Sequence, residues 1–459
     1  MRNLHLKTLK MRDICSLPER KTLQVITMGC SKNIVDTEHL LAQVDGSFDI
    51  VPDGEDCRVD FLLINTCGFI GDAKEESIQT ILEAVERKKK GDVGKILVFG
   101  CLSQRYMTEM PELIPEVDGW FGARDLIPVI KALGCREKPG KRISRCRRDS
   151  HLPYAFLKIS EGCDRRCSYC AIPFIRGPHR SVPIEELVKE AGELAAAGVK
   201  ELVLIAQDTT YYGLDLYKRR ALAELLERLS AIEAIRRIRI HYSYPADFPE
   251  DVLDQMADNP KVCRYMDIPL QHVADEVLSK MHRNVDGAWT RALIRKMRER
   301  VPGIVLRTTM IVGHPGEGEK EFEELLDFVR EARFERLGAF TYSEEEGTYG
   351  AEHFDDSVPE EEKAARLSRL MEVQKEISYA FNESRIGTEI AVLVDTFNDG
   401  ILVCRSEFES PDVDGEILVK YQPGIMKLPA DEMVGKFIRV KVISADEYDL
   451  VADFIEIEQ

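Results

Sequence analysis

The stretch "EGCDRRCSYCAIP" (Glu161–Pro173) places Cys163, Cys167 and Cys170 within eight residues, at the spacing C-x3-C-x2-C. A closed zinc or iron–sulfur site takes about four ligands, so this loop is one short. Zinc with His179 as the fourth ligand is one reading. Structural zinc sites pair two short ligand motifs, however, and no second C-x2-C or H-x3-H accompanies this one. A 4Fe-4S cluster held by three cysteines explains the shortage better, because its fourth iron stays open, as catalytic zinc keeps an open position. Gly162 eases the backbone into the tight loop.

The loop directly follows the apolar run "AFLKIS". Further apolar runs recur downstream: "ELVLIA" (Glu201–Ala206), "RIRIHY" (Arg237–Tyr242), "VCRYMDIPL" (Val262–Leu270), "GIVLRTTMIV" (Gly303–Val312) and "RLGAFTY" (Arg336–Tyr342). Between them lie amphipathic stretches such as "IEELVKEAGELAAAG" and "EKEFEELLDFVREA". Six strand–helix units predict an open, partial barrel of parallel strands, with a closed eight-stranded barrel as the alternative. In either, chemistry belongs at the carboxyl ends of the strands.

Upstream, "TLQVITM" (Thr22–Met28), "DFLLINT" (Asp60–Thr66) and "KILVFG" (Lys95–Gly100) read as buried strands of an α/β domain, and "DAKEESIQTILEAVERKKK" as a helix with a basic end. Cys30, Cys67 and Cys101 each follow one of these strands, in "TMGCSKNIVDTEH", "NTCGFI" and "FGCLSQRY". Residues just beyond the strand ends of a parallel sheet share one edge. Neighbouring Gly29, Gly68 and Gly100 leave room there for a bulky group. Singly, each would read as a buried core thiol; their common position predicts a second three-thiolate site.

Residues 136–154 are basic, with two prolines and one glycine, and read as a linker or exposed connection whose charge serves solvation. A long charged helix, "PEEEKAARLSRLMEVQKEISYAFNESRIG", precedes short strands from Thr388 onward. Turns at "NDG" and "DVDG" between them predict a small antiparallel β-barrel. The division expected is 20–135 for the first α/β domain, 136–154 for the linker, 155–380 for the partial barrel and its following helix, and 383–459 for the β-barrel.

The 459 residues are 44% hydrophobic and carry a net charge of −18, which suits a folded, soluble chain and disfavours direct nucleic-acid binding. No apolar run reaches membrane-spanning length. The first twenty residues lack a continuous apolar core, so a secretory signal is not expected and the cytoplasm is. In that reducing compartment the twelve cysteines are thiols or metal ligands. Cys15, Cys57, Cys135, Cys146, Cys263 and Cys404 read as small core or surface thiols. From residue 383 to 459, seventeen Asp and Glu face seven Lys and Arg, net −10. That surface repels phosphate and attracts a basic partner.

C-x3-C-x2-C after the first strand of a sixfold repeat resembles the radical S-adenosylmethionine superfamily. The resemblance implies that the open iron chelates the amino and carboxylate groups of S-adenosylmethionine, and that an electron from the cluster cleaves the sulfonium to a 5′-deoxyadenosyl radical. It also implies cofactor contacts. Tyr169 holds the aromatic position before the third cysteine. Gly313, in "MIVGHPGE" (Met310–Glu317), falls in the segment that contacts adenine. Gln207 and Gln271, the latter in "DIPLQH" (Asp267–His272), are candidate polar contacts. For these four, an ordinary strand-to-helix turn or a satisfied loop side chain is the plain alternative.

With three dispersed cysteines before the barrel and a small β-domain after it, nearly the whole chain is similar to the methylthiotransferases, whose C-terminal module is the TRAM domain. That resemblance implies that Cys30, Cys67 and Cys101 hold an auxiliary 4Fe-4S cluster, two clusters in all. It implies that one S-adenosylmethionine supplies a methyl group and another the radical, so that CH3–S is installed on an unactivated carbon. One branch of the family modifies a transfer-RNA adenosine, and the other an aspartate β-carbon in small-subunit ribosomal protein twelve. "GCSKNIVDTE" and "NTCGFI" resemble the second. A reductant protein such as flavodoxin or ferredoxin is implied as a partner. Transfer-RNA modification is the alternative enzyme reading, and a non-catalytic, metal-containing ribosome assembly factor the alternative of another class. No catalytic side chain is assigned beyond the cluster ligands; Arg176 and Arg307 are basic candidates for recognising the substrate aspartate.

Overall fold

The computed structural model describes residues 20–55, 57–141, 144–147 and 151–458. The N-terminal nineteen residues, with Cys15 and most of the stretch read for a signal, lie outside the described residues, as do Gln459 and parts of the basic connection. Strands β1 (Lys21–Thr27), β2 (Phe48–Val51), β3 (Val59–Thr66), β4 (Val93–Gly100) and β5 (Gly119–Trp120) form one parallel sheet in the order β2-β1-β3-β4-β5. The near-continuous apolar runs of β3 and β4 fit strands covered on both faces. Val25, Leu63 and Leu97 pack to one side, and Leu62, Ile64 and Val98 to the other. Helices α1 (Ser31–Val44), α2 (Gly71–Lys90) and the short α3 (Cys101–Arg105) follow β1, β3 and β4.

The second sheet contains β6 (Tyr154–Lys158). Immediately after it, β7 (Ser160–Glu161) and β8 (Arg180–Ser181) make an antiparallel pair that frames the cysteine loop. Strands β9 (Glu201–Ile205), β10 (Arg237–Ile240), β11 (Val262–Asp267), β12 (Val305–Val312) and β13 (Arg336–Thr341) complete a six-stranded sheet ordered β6-β9-β10-β11-β12-β13, parallel throughout. β6 and β13 do not pair, so the barrel is open and partial. Leu202, Leu204, Ile238 and Ile240 lie in the apolar core beneath the helices. The alternate residues Arg237 and Arg239 belong to the opposite face.

Strands β14 (Glu389–Asn398), β15 (Ile401–Arg405), β16 (Ile417–Lys420), β17 (Phe437–Ala445) and β18 (Leu450–Ile457) close a barrel in the order β14-β15-β16-β18-β17. Four pairings are antiparallel and β16–β18 is parallel. This corrects the expectation of a wholly antiparallel barrel: directions cannot alternate around a closed ring with an odd number of strands.

Three features lock these units together. The segment after β15 lies against the charged face of the central sheet: Arg405 pairs with buried Glu201 (3.0 Å), Arg336 with Glu409 (3.2 Å), and the Tyr265 hydroxyl donates to Asp414 (2.6 Å). Part of the barrel's acidity is therefore internal. Such pairs define one docking arrangement more than they add net stability. The basic connection is also not merely solvated. The Arg145 side chain is buried and donates to Glu38 of α1 (2.7 Å) and to Glu190 of the helix Ile184–Ala196 (3.1 Å). Finally, the helix Glu360–Ser384 binds Glu317 through Arg366 near one end (2.8 Å) and donates from Asn382 to the Asp446 carbonyl of the barrel at the other (3.1 Å). Among the described residues no helix is long and apolar enough to cross a membrane.

Candidate functional site

Cys30 precedes the first turn of α1, Cys67 directly follows β3, and Cys101 is the first residue of α3 directly after β4. β1, β3 and β4 are neighbours in the sheet, so the three thiols share one edge. Gly29 (φ +84°) keeps this edge open, since a Cβ there would lie 2.8 Å from the Cys67 Cβ. Asn33 ties the edge together, donating to the carbonyls of Met28 (2.8 Å) and Thr66 (3.2 Å).

The other three thiols belong to a single loop. The Cys163 N–H donates to the Gly177 carbonyl (3.0 Å), Ser168 N–H to the Met281 carbonyl (3.1 Å), and Cys170 N–H to the Cys167 carbonyl (3.1 Å). Gly162 sits at φ +78°, where a Cβ would meet the Pro178 carbonyl oxygen at 2.2 Å.

A cavity of about 380 Å³ is lined by all six cysteines. Tyr169, Gln207 and Gln271 line it too. Gly313 does not line it: its N–H donates to Glu317 (2.9 Å), and a Cβ there would lie 2.4 Å from the Lys363 Cγ. His179 is likewise outside, with Nε2 3.0 Å from the Ser181 hydroxyl. Among the described residues no three His, Cys, Asp or Glu side chains converge on one metal ion. A 4Fe-4S cluster imposes a different requirement, because each thiolate binds its own iron and the thiols must ring a volume rather than meet at a point.

The residues fit such groups. The six cysteines are free thiols. Gln207 Oε1, Gln271 Oε1 and Arg165 Nη2 are buried without a hydrogen-bond partner, which a bound ligand would supply. Burial pushes the Cys101 thiol up to about 11 and the Cys163 thiol to about 12; it also raises Cys67 and Cys170. Metal coordination replaces those protons. Each set also has one guanidinium on a sulfur: Arg176 Nε lies 3.3 Å from Cys101 Sγ, and Arg283 Nη1 3.5 Å from Cys167 Sγ.

Arg176 is not free to bind a substrate carboxylate, because it is buried and paired with Asp36 (2.7 Å) and Glu161 (3.3 Å). Burial opposes the charge of Glu161, but Lys158 and Arg176 overcome it and hold the carboxyl down at about 2. Gln207 Nε2 donates to this carboxylate (2.7 Å). Arg307 is engaged by Asp267 (2.9 Å) and does not line the cavity.

Sequence reasoning missed Arg165, Arg283, Tyr242 and Tyr244, all of which line the cavity. Arg165 lay in plain view inside the cysteine loop; Arg283 follows the helix Asp275–Lys280 with no local signal. A second, outer cleft of about 540 Å³ shares Cys30 and Tyr242 with the cavity and is bounded by Arg145 and by Pro411, Asp412 and Val413 of the barrel segment.

Comparison with known proteins agrees with this architecture. The radical SAM superfamily matches residues 157–329, uncharacterized protein family UPF0004 residues 22–122, and the TRAM domain residues 386–455. The ribosomal protein uS12 methylthiotransferase RimO of Bacteroides fragilis is 48% identical over 438 residues, covering 95% of this chain and 100% of that protein. Its namesake in Flavobacterium johnsoniae is 47% identical over 440 residues, covering 95% and 98%. Among solved structures, the radical S-adenosylmethionine methyltransferase TsrM of Kitasatospora setae, with cobalamin and a 4Fe-4S cluster bound, has a TM-score of 0.54 at 14% identity, covering 90% of this chain and 84% of that one. That is a likeness of fold. The chain is a transferase whose cofactors are iron–sulfur clusters and S-adenosylmethionine. Matched nearly end to end at close to half identity, it belongs to the radical S-adenosylmethionine methylthiotransferase family.

Proposed function

We propose that this chain methylthiolates the β-carbon of an aspartate in ribosomal protein uS12, with Cys163, Cys167 and Cys170 holding one 4Fe-4S cluster and Cys30, Cys67 and Cys101 the other. The observation that carries the reading is the single cavity bounded by both cysteine sets. When bound, the clusters and S-adenosylmethionine supply the carbon radical and the methylated sulfur that an unactivated C–H bond requires. The chain's own residues bind and orient. Arg283 orders the contiguous loop, donating to Cys167 Sγ (3.5 Å) and the Tyr169 hydroxyl (3.3 Å). Arg176 fixes the dispersed set against that loop through Asp36 (2.7 Å) and Glu161 (3.3 Å). Gln207 and Gln271 each offer a carbonyl oxygen without a partner to the polar groups of S-adenosylmethionine.

Two further observations favour the protein substrate over transfer RNA. The relatives carry uS12 in their names. The β-barrel keeps acidic side chains on its surface, among them Glu389, Asp399, Asp431 and Glu432, which suit a basic ribosomal protein and repel phosphate. The reading includes a cytoplasmic location, a flavodoxin- or ferredoxin-type reductant, and four functional segments, 20–135, 136–154, 155–380 and 383–459. Mass spectrometry of uS12 from a deletion strain tests it: the methylthio group should be absent and should return on complementation. Persistence of the modified aspartate, or loss of a methylthiolated transfer-RNA adenosine instead, would overturn it.

A further inference from the structure

Lys32 stands in the first turn of α1, two residues after Cys30, and lines the cavity that both cysteine sets share. It is 8% exposed. A buried ammonium is costly unless an anion compensates it. The other cations of this cavity are already engaged. Arg165 pairs with Asp208 (2.9 Å), Arg176 with Asp36 and Glu161, and Arg283 donates to Cys167 Sγ, the Tyr169 hydroxyl and the Pro269 carbonyl. Among the described residues no carboxylate pairs with Lys32. Its ammonium instead lies over the Tyr242 ring, 3.1 Å from the centroid. A cation–π contact compensates part of the burial cost and leaves the N–H donors free for an anion.

The aromatic partner is itself held in an unusual state. Tyr242 has φ +58°, a region that non-glycine residues avoid. The surroundings hold it there: its N–H donates to Asp267 (2.8 Å) and its carbonyl accepts from Thr209 N–H (3.1 Å). Strain that neighbours enforce clusters at binding sites. Here it puts the ring where the outer cleft and the inner cavity share a wall.

We propose that Lys32, seated on Tyr242, is the counter-ion for the side-chain carboxylate of the substrate aspartate and selects aspartate over its neutral isostere. The inference rests on the uS12 reading above and adds a specificity-determining residue to it. The ammonium that meets the anion is itself buried, and a charge-assisted bond to it discriminates against a neutral group.

The test uses reconstituted holoenzyme, fluorescently labelled unmodified uS12, and a uS12 variant with asparagine at the target aspartate. Wild-type enzyme should bind the aspartate form about 10- to 100-fold more tightly than the asparagine form. Lys32→Met should bind both at the asparagine level, and Lys32→Arg should retain most of the preference. Iron content, the electron paramagnetic resonance spectra of the clusters and the affinity for S-adenosylmethionine should stay at wild-type values in Lys32→Met, which establishes that the site is intact. A Lys32→Met enzyme that keeps the wild-type preference overturns the assignment, as does a lost preference accompanied by altered cluster spectra or altered S-adenosylmethionine affinity. Wild-type enzyme that leaves uS12 unmodified overturns the uS12 reading and this inference together; wild-type enzyme that modifies uS12, beside a Lys32→Met enzyme that still discriminates, overturns only the inference.

Discussion

The two cysteine sets reach one cavity by opposite routes. Cys163, Cys167 and Cys170 depend on one loop, closed by its own backbone hydrogen bonds and framed by β7 and β8. Cys30, Cys67 and Cys101 are separated by 37 and 34 positions and meet only because β1, β3 and β4 are adjacent. The loop is a local object that a short sequence pattern reveals. The edge is a tertiary object that exists only when a sheet has formed. The dispersed set should therefore be the more sensitive to anything that loosens the first sheet.

The sharpest break in the comparison is to remove one cysteine from each set. Cys163→Ala should abolish formation of 5′-deoxyadenosine. Cys67→Ala should leave that reaction measurable while uS12 stays unmodified. Each variant should retain about four iron atoms per chain instead of about eight. Iron analysis and product chromatography check both, and equal losses of 5′-deoxyadenosine would erase the distinction.

The arginines that touch the sulfurs offer a smaller effect. Arg176→Leu removes one of the two cations that bridge Asp36 and Glu161, Lys158 remaining, and should cost about 3 kcal/mol, because the carboxylate pair is left under-compensated. Arg283→Leu loses hydrogen bonds to a thiol, a hydroxyl and a carbonyl but strands no paired carboxylate, and should cost about 1–3 kcal/mol. Urea unfolding of both variants measures the difference.

Next in size are the glycines that open each site. Gly162→Ala drives a Cβ to 2.2 Å from a backbone oxygen at φ +78°, and should cost about 2–3 kcal/mol. Gly29→Ala, at φ +84°, meets the Cys67 Cβ at 2.8 Å, which side-chain rotation does not move, and should cost about 1–3 kcal/mol while lowering iron retention by the dispersed set alone. Denaturation midpoints and iron content check the pair.

The smallest effect is a pH dependence. Burial holds His241 neutral down to about 3, with Nε2 2.7 Å from the Ser410 hydroxyl of the barrel segment. The unfolded chain takes up this proton near pH 6.5 and the folded chain does not. The stability associated with neutral His241 is thus complete above pH 6.5 and falls as pH drops toward 3, by about 1 kcal/mol at pH 5.5. Thermal melts of His241→Gln across that window should show a shallower acid limb than wild type.

Much of this architecture was legible because it rests on short-range pattern. Apolar runs followed by cysteine identified the strand ends, and the six repeats implied the parallel order of the central sheet. The strands β2 and β5 were not read: Asp49 and Ile50 of β2 are exposed, and β5 spans two residues. Arg145 looked like a solvated charge because its carboxylate partners lie 107 and 45 positions away. The parallel barrel pair follows from strand count, which the turns alone do not disclose. Tyr242 and Lys32 carry no local signal, since what distinguishes them is a left-handed backbone and a missing carboxylate.

The helix Glu360–Ser384 is a strut of 25 residues, about 37 Å long. Arg366 fastens it to the turn beyond β12 and Asn382 to the β-barrel. Displacement of the barrel would therefore be passed, through one stiff member, to the backbone beyond β12 that carries Glu317. A push at the periphery has a defined path to the strand ends of the central sheet, and the joint that receives it is the buried Arg366–Glu317 pair.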